Sequence, residues 1–163
     1  MSSFAKRYAP TDEAPADVWA PPTEPRRQLN VLHVDDEAMN LVVVKEILSA
    51  FGHSAQQAWS GAEALERLAK KKFDVILMDI HMPGMSGIET VARLRAAEGP
   101  NQKTPVIALT ADTVSRGLPE YLQLGFADYV TKPILVSRLM SGLAHAAEID
   151  PDRLFQGGVA ASF

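Results

Sequence analysis

A chain of 163 residues has room for one domain with a proper core plus terminal segments, and hardly for two. Its formal net charge of −4 lacks the basic excess that a nucleic-acid backbone requires, so nucleic acid is not an expected partner. With no cysteine there is neither a disulfide framework nor a thiolate metal site. No apolar stretch approaches ~18 residues, and the first thirty residues lack the apolar centre of a signal peptide, so a cytoplasmic protein without membrane contact is expected.

Residues 1–28 carry Pro10, Pro15, Pro21, Pro22 and Pro25 among Asp, Glu and Ala, a composition that predicts a disordered or extended arm with Phe4 and Trp19 as its large anchors. Met1-Ser2-Ser3 reads as a natural start. From residue 29 to 147 five apolar strand-like runs alternate with five helical ones. The strands are Leu29-Val34, Ser54-Ala58, Phe73-Met78, Thr104-Leu109 and Ala127-Thr131. The first helix repeats Leu41, Val44, Leu48 and Phe51 at period 3.6 and stops at Gly52. Ser60-Gly61-Ala62-Glu63 and Ser86-Gly87-Ile88-Glu89 read as capping boxes that open the second and third helices. Gly costs about 1 kcal/mol in a helix interior and Pro about 3, so Gly117 and Pro119 place the start of a weak fourth helix near Leu118, after a mobile loop from Asp112. The last helix presents Leu135, Leu139, Leu143 and Ala146 on one face. Residues 148–163 form a tail too short for an output domain. Strict β/α alternation with hydrophobic central strands implies an α/β fold, a doubly wound parallel sheet with helices on both faces.

Polar residues punctuate the carboxyl ends of the apolar runs: Asp35-Asp36, Asp79, Thr110 and Lys132. In such sheets ligands bind outside those ends, so an aspartate there points to chemistry. Two carboxylates about 4 Å apart repel by roughly 4 kcal/mol at an effective dielectric near 20, so Asp35, Asp36 and Asp79 need a cation. Hard oxygen donors suggest Mg²⁺; capping of the following helix is the plainer alternative for Asp35-Asp36. A hydroxyl and an ammonium facing a metal-bound carboxylate suit a transferred phosphoryl group, and an aspartate can serve as its nucleophile. Pro133 after Lys132 can adopt a cis bond that aims the lysine inward. His33, inside the first strand, reads as a satisfied core histidine.

Val34-Asp35-Asp36, Met78-Asp79, Met82-Pro83-Gly84-Met85-Ser86-Gly87, Ala108-Leu109-Thr110-Ala111 and Asp128-Tyr129-Val130-Thr131-Lys132-Pro133 together resemble the receiver domain of two-component response regulators. The resemblance covers residues 29–147, and Asn40 with Ile107-Ala108-Leu109-Thr110-Ala111 is similar to receivers attached to hybrid histidine kinases. It implies a flavodoxin-like five-stranded parallel sheet in the order 2-1-3-4-5. It also implies that Asp79 accepts a phosphoryl group from a phosphohistidine on a sensor histidine kinase or a histidine phosphotransfer protein. Asp36, Asp79 and the backbone carbonyl of His81 would hold Mg²⁺ directly, and Asp35 mostly through water. Thr110 and Lys132 would bind phosphoryl oxygens, and Tyr129 would turn inward on activation. The fourth helix, fifth strand and fifth helix would form the face for a downstream protein. His81 and Asp112, each two residues beyond a site residue, border the path of an attacking water and are candidates for tuning phosphoryl lifetime.

Enzymatic turnover beyond gain and loss of that phosphoryl group is not expected. A receiver fragment of a hybrid kinase, with residues 1–28 as interdomain linker, is a related alternative. A haloacid-dehalogenase-type Mg²⁺ phosphatase also uses a nucleophilic Asp and a Lys, but its two acids are separated by one residue, whereas Asp35 and Asp36 are adjacent. An FMN binder would need a Ser/Thr/Gly-rich phosphate loop where Asp35-Asp36-Glu37 stands.

Overall fold

The structure is a computed structural model and describes residues 27–148. The arm assigned to residues 1–28, with Phe4 and Trp19, and the C-terminal tail therefore lie almost wholly outside the described residues. Among the described residues five strands and five helices alternate: β1 Asn30–Val34, α1 Ala38–Ala50, β2 Ser54–Ala58, α2 Gly61–Lys70, β3 Val75–Asp79, α3 Gly87–Ala96, β4 Val106–Thr110, α4 Leu118–Gln123, β5 Asp128–Thr131 and α5 Val136–Glu148. The strands form one parallel sheet in the order β2-β1-β3-β4-β5. The expected topology is thus the observed one.

Alternation along the central strands divides their side chains between two cores. Leu32, Val34, Ile76, Met78, Val106 and Ala108 join residues of α2, α3 and α4, among them Leu68, Val91 and Tyr121. Val31, Val75, Leu77, Ile107, Leu109 and Val130 pack instead against Val44 and Leu48 of α1 and Leu139 and Leu143 of α5. Burial on both faces explains why β1, β3 and β4 read as continuous apolar runs.

The strand boundaries move toward the rim. β3 and β4 begin two residues later than their apolar runs and extend by one residue, so Asp79 and Thr110 are themselves the last ladder positions. Hydrogen bonds to the neighbouring strand carry them there, because pairing needs only backbone groups and is indifferent to side-chain polarity.

Both serine caps form: Ser60 Oγ accepts from Glu63 N–H and Ser86 Oγ from Glu89 N–H, each at 3.1 Å. The reciprocal half of each expected box is replaced. Glu63 accepts from Trp59 N–H, one residue before the cap, and Glu89 pairs with Arg93 one turn on. Gly52, with φ +80°, closes α1 in the left-handed region. α4 starts at Leu118 with Pro119 in its first turn, as expected, and Gly117 N–H donates to Glu120 Oε2 at 2.9 Å. Leu135 departs from expectation: it precedes α5 and is 65% exposed, because the turn after Pro133 directs it away from the sheet.

Candidate phosphoacceptor site

Asp35 follows the last residue of β1, and its amide donates to Ala58 O on β2, which ties the carboxylate to the sheet rim. Every oxygen of that buried side chain is engaged. Oδ1 accepts from Glu37 N–H at 2.9 Å, and Oδ2 accepts from Asn40 Nδ2 and Lys132 Nζ, both at 3.2 Å. Asp35 thus does bond at the start of α1, but the cap position is Glu37 and the acid also reaches across the sheet. Asp36 is more open to solvent. One carboxylate oxygen from each of Asp35, Asp36 and Asp79 lies within 4.8 Å of the others.

Asp79 ends β3 and is 4% exposed. Its Oδ1 lies 3.1 Å from Lys132 Nζ, so one ammonium bridges Asp35 and Asp79. Burial pushes the Asp79 carboxyl up to about 6, against the downward pull of Lys132 and with the repulsion of Asp35 and Asp36 added. At neutral pH it is still ionised, the form a nucleophile needs. Burial alone would lower the Lys132 ammonium, but Asp35 and Asp79 carry it above its ordinary value. The Lys132–Pro133 peptide is cis, and Lys132 N–H donates to Thr110 O at 2.7 Å.

A glycine sets the position of Asp79. A Cβ on Gly87 would strike the Asp79 carbonyl oxygen, so only glycine lets the start of α3 lie against this strand end. Gly87 N–H in turn donates to Ile80 O at 2.9 Å. The loop between them carries His81, exposed, and Gly84 at φ +75°.

Thr110, fully buried, ends β4, and its Oγ1 accepts from Asp112 N–H at 3.0 Å. The Asp112 carboxylate faces its own loop: Oδ1 accepts from Val114 N–H and Ser115 N–H at 2.9 and 3.0 Å. Bonds from Ser115 and Val114 hold that carboxyl down at about 2. Tyr129, half-buried, packs against the core under α4 and stacks on Tyr121 with ring centroids 5.1 Å apart.

His33 departs from its expectation. It is buried as a core residue, yet among the described residues neither ring nitrogen has a hydrogen-bond partner; Nε2 stands 3.8 Å from Asp35 Oδ2. Desolvation lowers it to about 4, against the pull of Asp35, so the ring is neutral. β1 turns it toward the α1/α5 side, where its neighbours by alternation are aliphatic.

Tyr121 and Arg138 were not singled out from the sequence. Arg138 binds both oxygens of Asp128 and also Tyr129 O, at 2.6–3.2 Å, tying α5 to β5. An i, i+10 Asp–Arg pair has no local periodicity to betray it.

The response regulator receiver domain family matches residues 31–144. The chain belongs to that family. Receiver-bearing relatives include the sensory/regulatory protein RpfC of Xanthomonas campestris, 30% identical over 74% of this chain and 17% of its own length. The sensor protein GacS of Pseudomonas syringae is 37% identical over 73% of this chain and 13% of its own. The chain therefore spans less than a fifth of the length of these relatives. Among solved structures, the receiver domain of sensor histidine kinase PA1611 from Pseudomonas aeruginosa, with magnesium coordinated in its active-site cleft, aligns with a TM-score of 0.68 at 29% identity. That alignment covers 76% of this chain and all of that one. The Vibrio cholerae chemotaxis protein CheY4 aligns with a TM-score of 0.67 at 31% identity, covering 74% and 99%. No helix among the described residues of this receiver is long and apolar enough to cross a membrane.

Proposed function

We propose that this receiver takes a phosphoryl group from a phosphohistidine onto Asp79 and signals through a protein-binding surface. The observation that carries the reading is the Asp79 carboxylate at the end of β3, ionised at neutral pH, with Lys132 Nζ at 3.1 Å and two further carboxylates beside it. A carboxylate oxygen of Asp79 attacks phosphorus, the P–N bond to the donor imidazole breaks, and its electron pair returns to nitrogen, which takes up a proton. Lys132 and the Thr110 hydroxyl stabilise the charge spread over the phosphoryl oxygens. The three hard carboxylates fit Mg²⁺, with Asp36, Asp79 and the His81 carbonyl as direct ligands and Asp35, whose oxygens are already bonded, acting through water. Bound there, the ion would neutralise charge on the phosphoryl group.

Met39, Val42 and Val43, exposed on α1 just beyond the acidic rim, and Leu135 beyond Lys132 support a protein donor, since apolar surface beside the site suits a macromolecule. A histidine kinase or histidine phosphotransfer protein has that chemistry, and the sensor proteins among the relatives favour a receiver of the hybrid-kinase type. The output surface is the α4/β5/α5 face, where Tyr129 stacks on Tyr121 and Arg138 holds Tyr129 O. His81, at the mouth of the site, tunes phosphoryl lifetime. The protein acts in the cytoplasm, where such donors carry out their transfer.

Acetyl phosphate or a phosphorylated donor, with Mg²⁺, is expected to add one acid-labile phosphoryl group per chain, and Asp79→Asn to abolish it. Undiminished labelling of that variant overturns the assignment.

A further inference from the structure

β5 is a four-residue strand at the edge of the sheet and, among the described residues, pairs with β4 alone. A clamp around the Tyr129 backbone adds to that hold. Asp128 Oδ1 accepts from Tyr129 N–H and from Arg138 Nη2, both at 2.8 Å, and Oδ2 accepts from Arg138 Nη1 at 3.2 Å. The same Nη2 donates to Tyr129 O at 2.6 Å, so the pair grips both the amide and the carbonyl of one residue. Such a charged fork is the strong kind of hydrogen bond, and Asp128 is buried, so water competes little for it. Gly142, one turn along α5 from Arg138, leaves the room: a Cβ there would come within 3.3 Å of Arg138 Nη1 and 3.6 Å of Asp128 Oδ2.

Lys132 lies between the two ends of this clamp, three residues after Tyr129 and six before Arg138. Its ammonium reaches Asp35 and Asp79 at 3.2 and 3.1 Å from the end of a flexible four-carbon stem, so the placing of its backbone decides whether one charge can serve both acids. On the β4 side that backbone is tied by Lys132 N–H to Thr110 O at 2.7 Å. We infer that Arg138, through Asp128 and Tyr129, is a positioning residue for phosphoryl transfer: it ties α5 to β5 on either side of the Lys132–Pro133 turn and so holds the ammonium on Asp79. The inference rests on Asp79 as acceptor with Lys132 as its cation.

A double-mutant cycle separates positioning from plain structural support, because a residue that acts through Lys132 has nothing left to do once Lys132 is gone. Acetyl phosphate labelling with Mg²⁺ is timed on the full chain for the parent, Arg138→Met, Arg138→Lys, Lys132→Met and the two double variants. Arg138→Lys keeps a charge beside the buried carboxylate, which protects the fold, but one ammonium cannot replace the planar fork. Arg138→Met is expected to label about tenfold more slowly than the parent and Arg138→Lys about threefold, since a displacement of 1 Å can cost about a hundredfold. Neither substitution should slow Lys132→Met further by as much as about twofold. The Mg²⁺-induced rise in melting temperature, read on the same proteins, should be larger in Arg138→Met than in the parent and no larger in its double variant than in Lys132→Met. A parental labelling rate in Arg138→Lys, labelling losses that multiply in the double variants, or Mg²⁺ effects that add, overturn the clamp while Asp79 stands. A parent that takes no label overturns the acceptor reading and the clamp with it.

Discussion

Lys132 reaches Asp79 from the far side of the sheet, 53 positions along the chain, and its Nζ stands 3.1 Å from Oδ1 while also touching Asp35. Among the described residues, this one ammonium bridges the two buried carboxylates.

Removing it leaves two buried carboxylates facing each other. Loss of one partner from a buried pair costs about 3 kcal/mol or more, so Lys132→Met is expected to destabilise the metal-free chain by that order at pH 7. Mg²⁺ should then raise the variant's melting temperature by more than the parent's, since it replaces the missing charge. Thermal melts with Mg²⁺ and with a chelator measure both; an equal Mg²⁺ shift in parent and variant rejects the bridging role.

Asp36 offers the opposite manipulation. Asp36→Asn removes a negative charge from the cluster, so the metal-free chain should be slightly more stable, and the Mg²⁺-induced rise in melting temperature should largely vanish by mass action. A full Mg²⁺ shift in this variant counts against the cluster as a metal site.

The pH dependence contains two opposed contributions. Asp79, raised from 3.8 to about 6, binds more protons folded than unfolded, so metal-free stability falls as pH rises from about 4 to about 6. His33, lowered from 6.5 to about 4, binds fewer, so its contribution rises with pH over almost the same range. Relative to the parent, Asp79→Asn should give a more positive slope of stability against pH, and His33→Leu a more negative one. His33→Leu should also stabilise the chain at pH 7 by about 1 kcal/mol, because it removes an unpaired buried imidazole. Denaturant titrations without divalent cation from pH 4 to 7 read all three effects, and an unchanged slope in either variant removes that group from the account.

Two glycines in one loop should respond differently. Gly84→Ala meets open space and carries only the backbone penalty of φ +75°, about 1–2 kcal/mol, with the Mg²⁺ response kept. Gly87→Ala drives a methyl into the Asp79 carbonyl, which should cost about 3 kcal/mol and weaken Mg²⁺ binding because the strand end must shift. Paired melts and Mg²⁺ titrations decide it; equal losses in the two variants contradict the packing role of Gly87.

Much of this was legible along the chain because it is governed by local periodicity. The apolar runs of β1, β3 and β4 announce strands buried on both faces, and the serines at 60 and 86 announce helix starts through bonds to amides three residues on. Gly117 and Pro119 placed the start of α4 by backbone constraint alone. Leu135 misled because helical spacing does not say where the preceding turn releases the chain.

What sequence by itself determined is the parallel α/β fold and the residue types at the strand ends, since these follow from periods of 2 and 3.6 and from turn chemistry. What only the tertiary structure decided is how side chains distant in sequence share their partners. Asp35 divides its oxygens among Glu37, Asn40 and Lys132, Arg138 joins Asp128 to the Tyr129 carbonyl, and Tyr121 stacks on Tyr129. His33 has a hydrophobic strand position and no hydrogen-bond partner, a state no local pattern encodes. Hydrogen bonds and desolvation act over a few ångströms in space, and the distances that decide them exist only once β1, β3, β4 and β5 lie side by side.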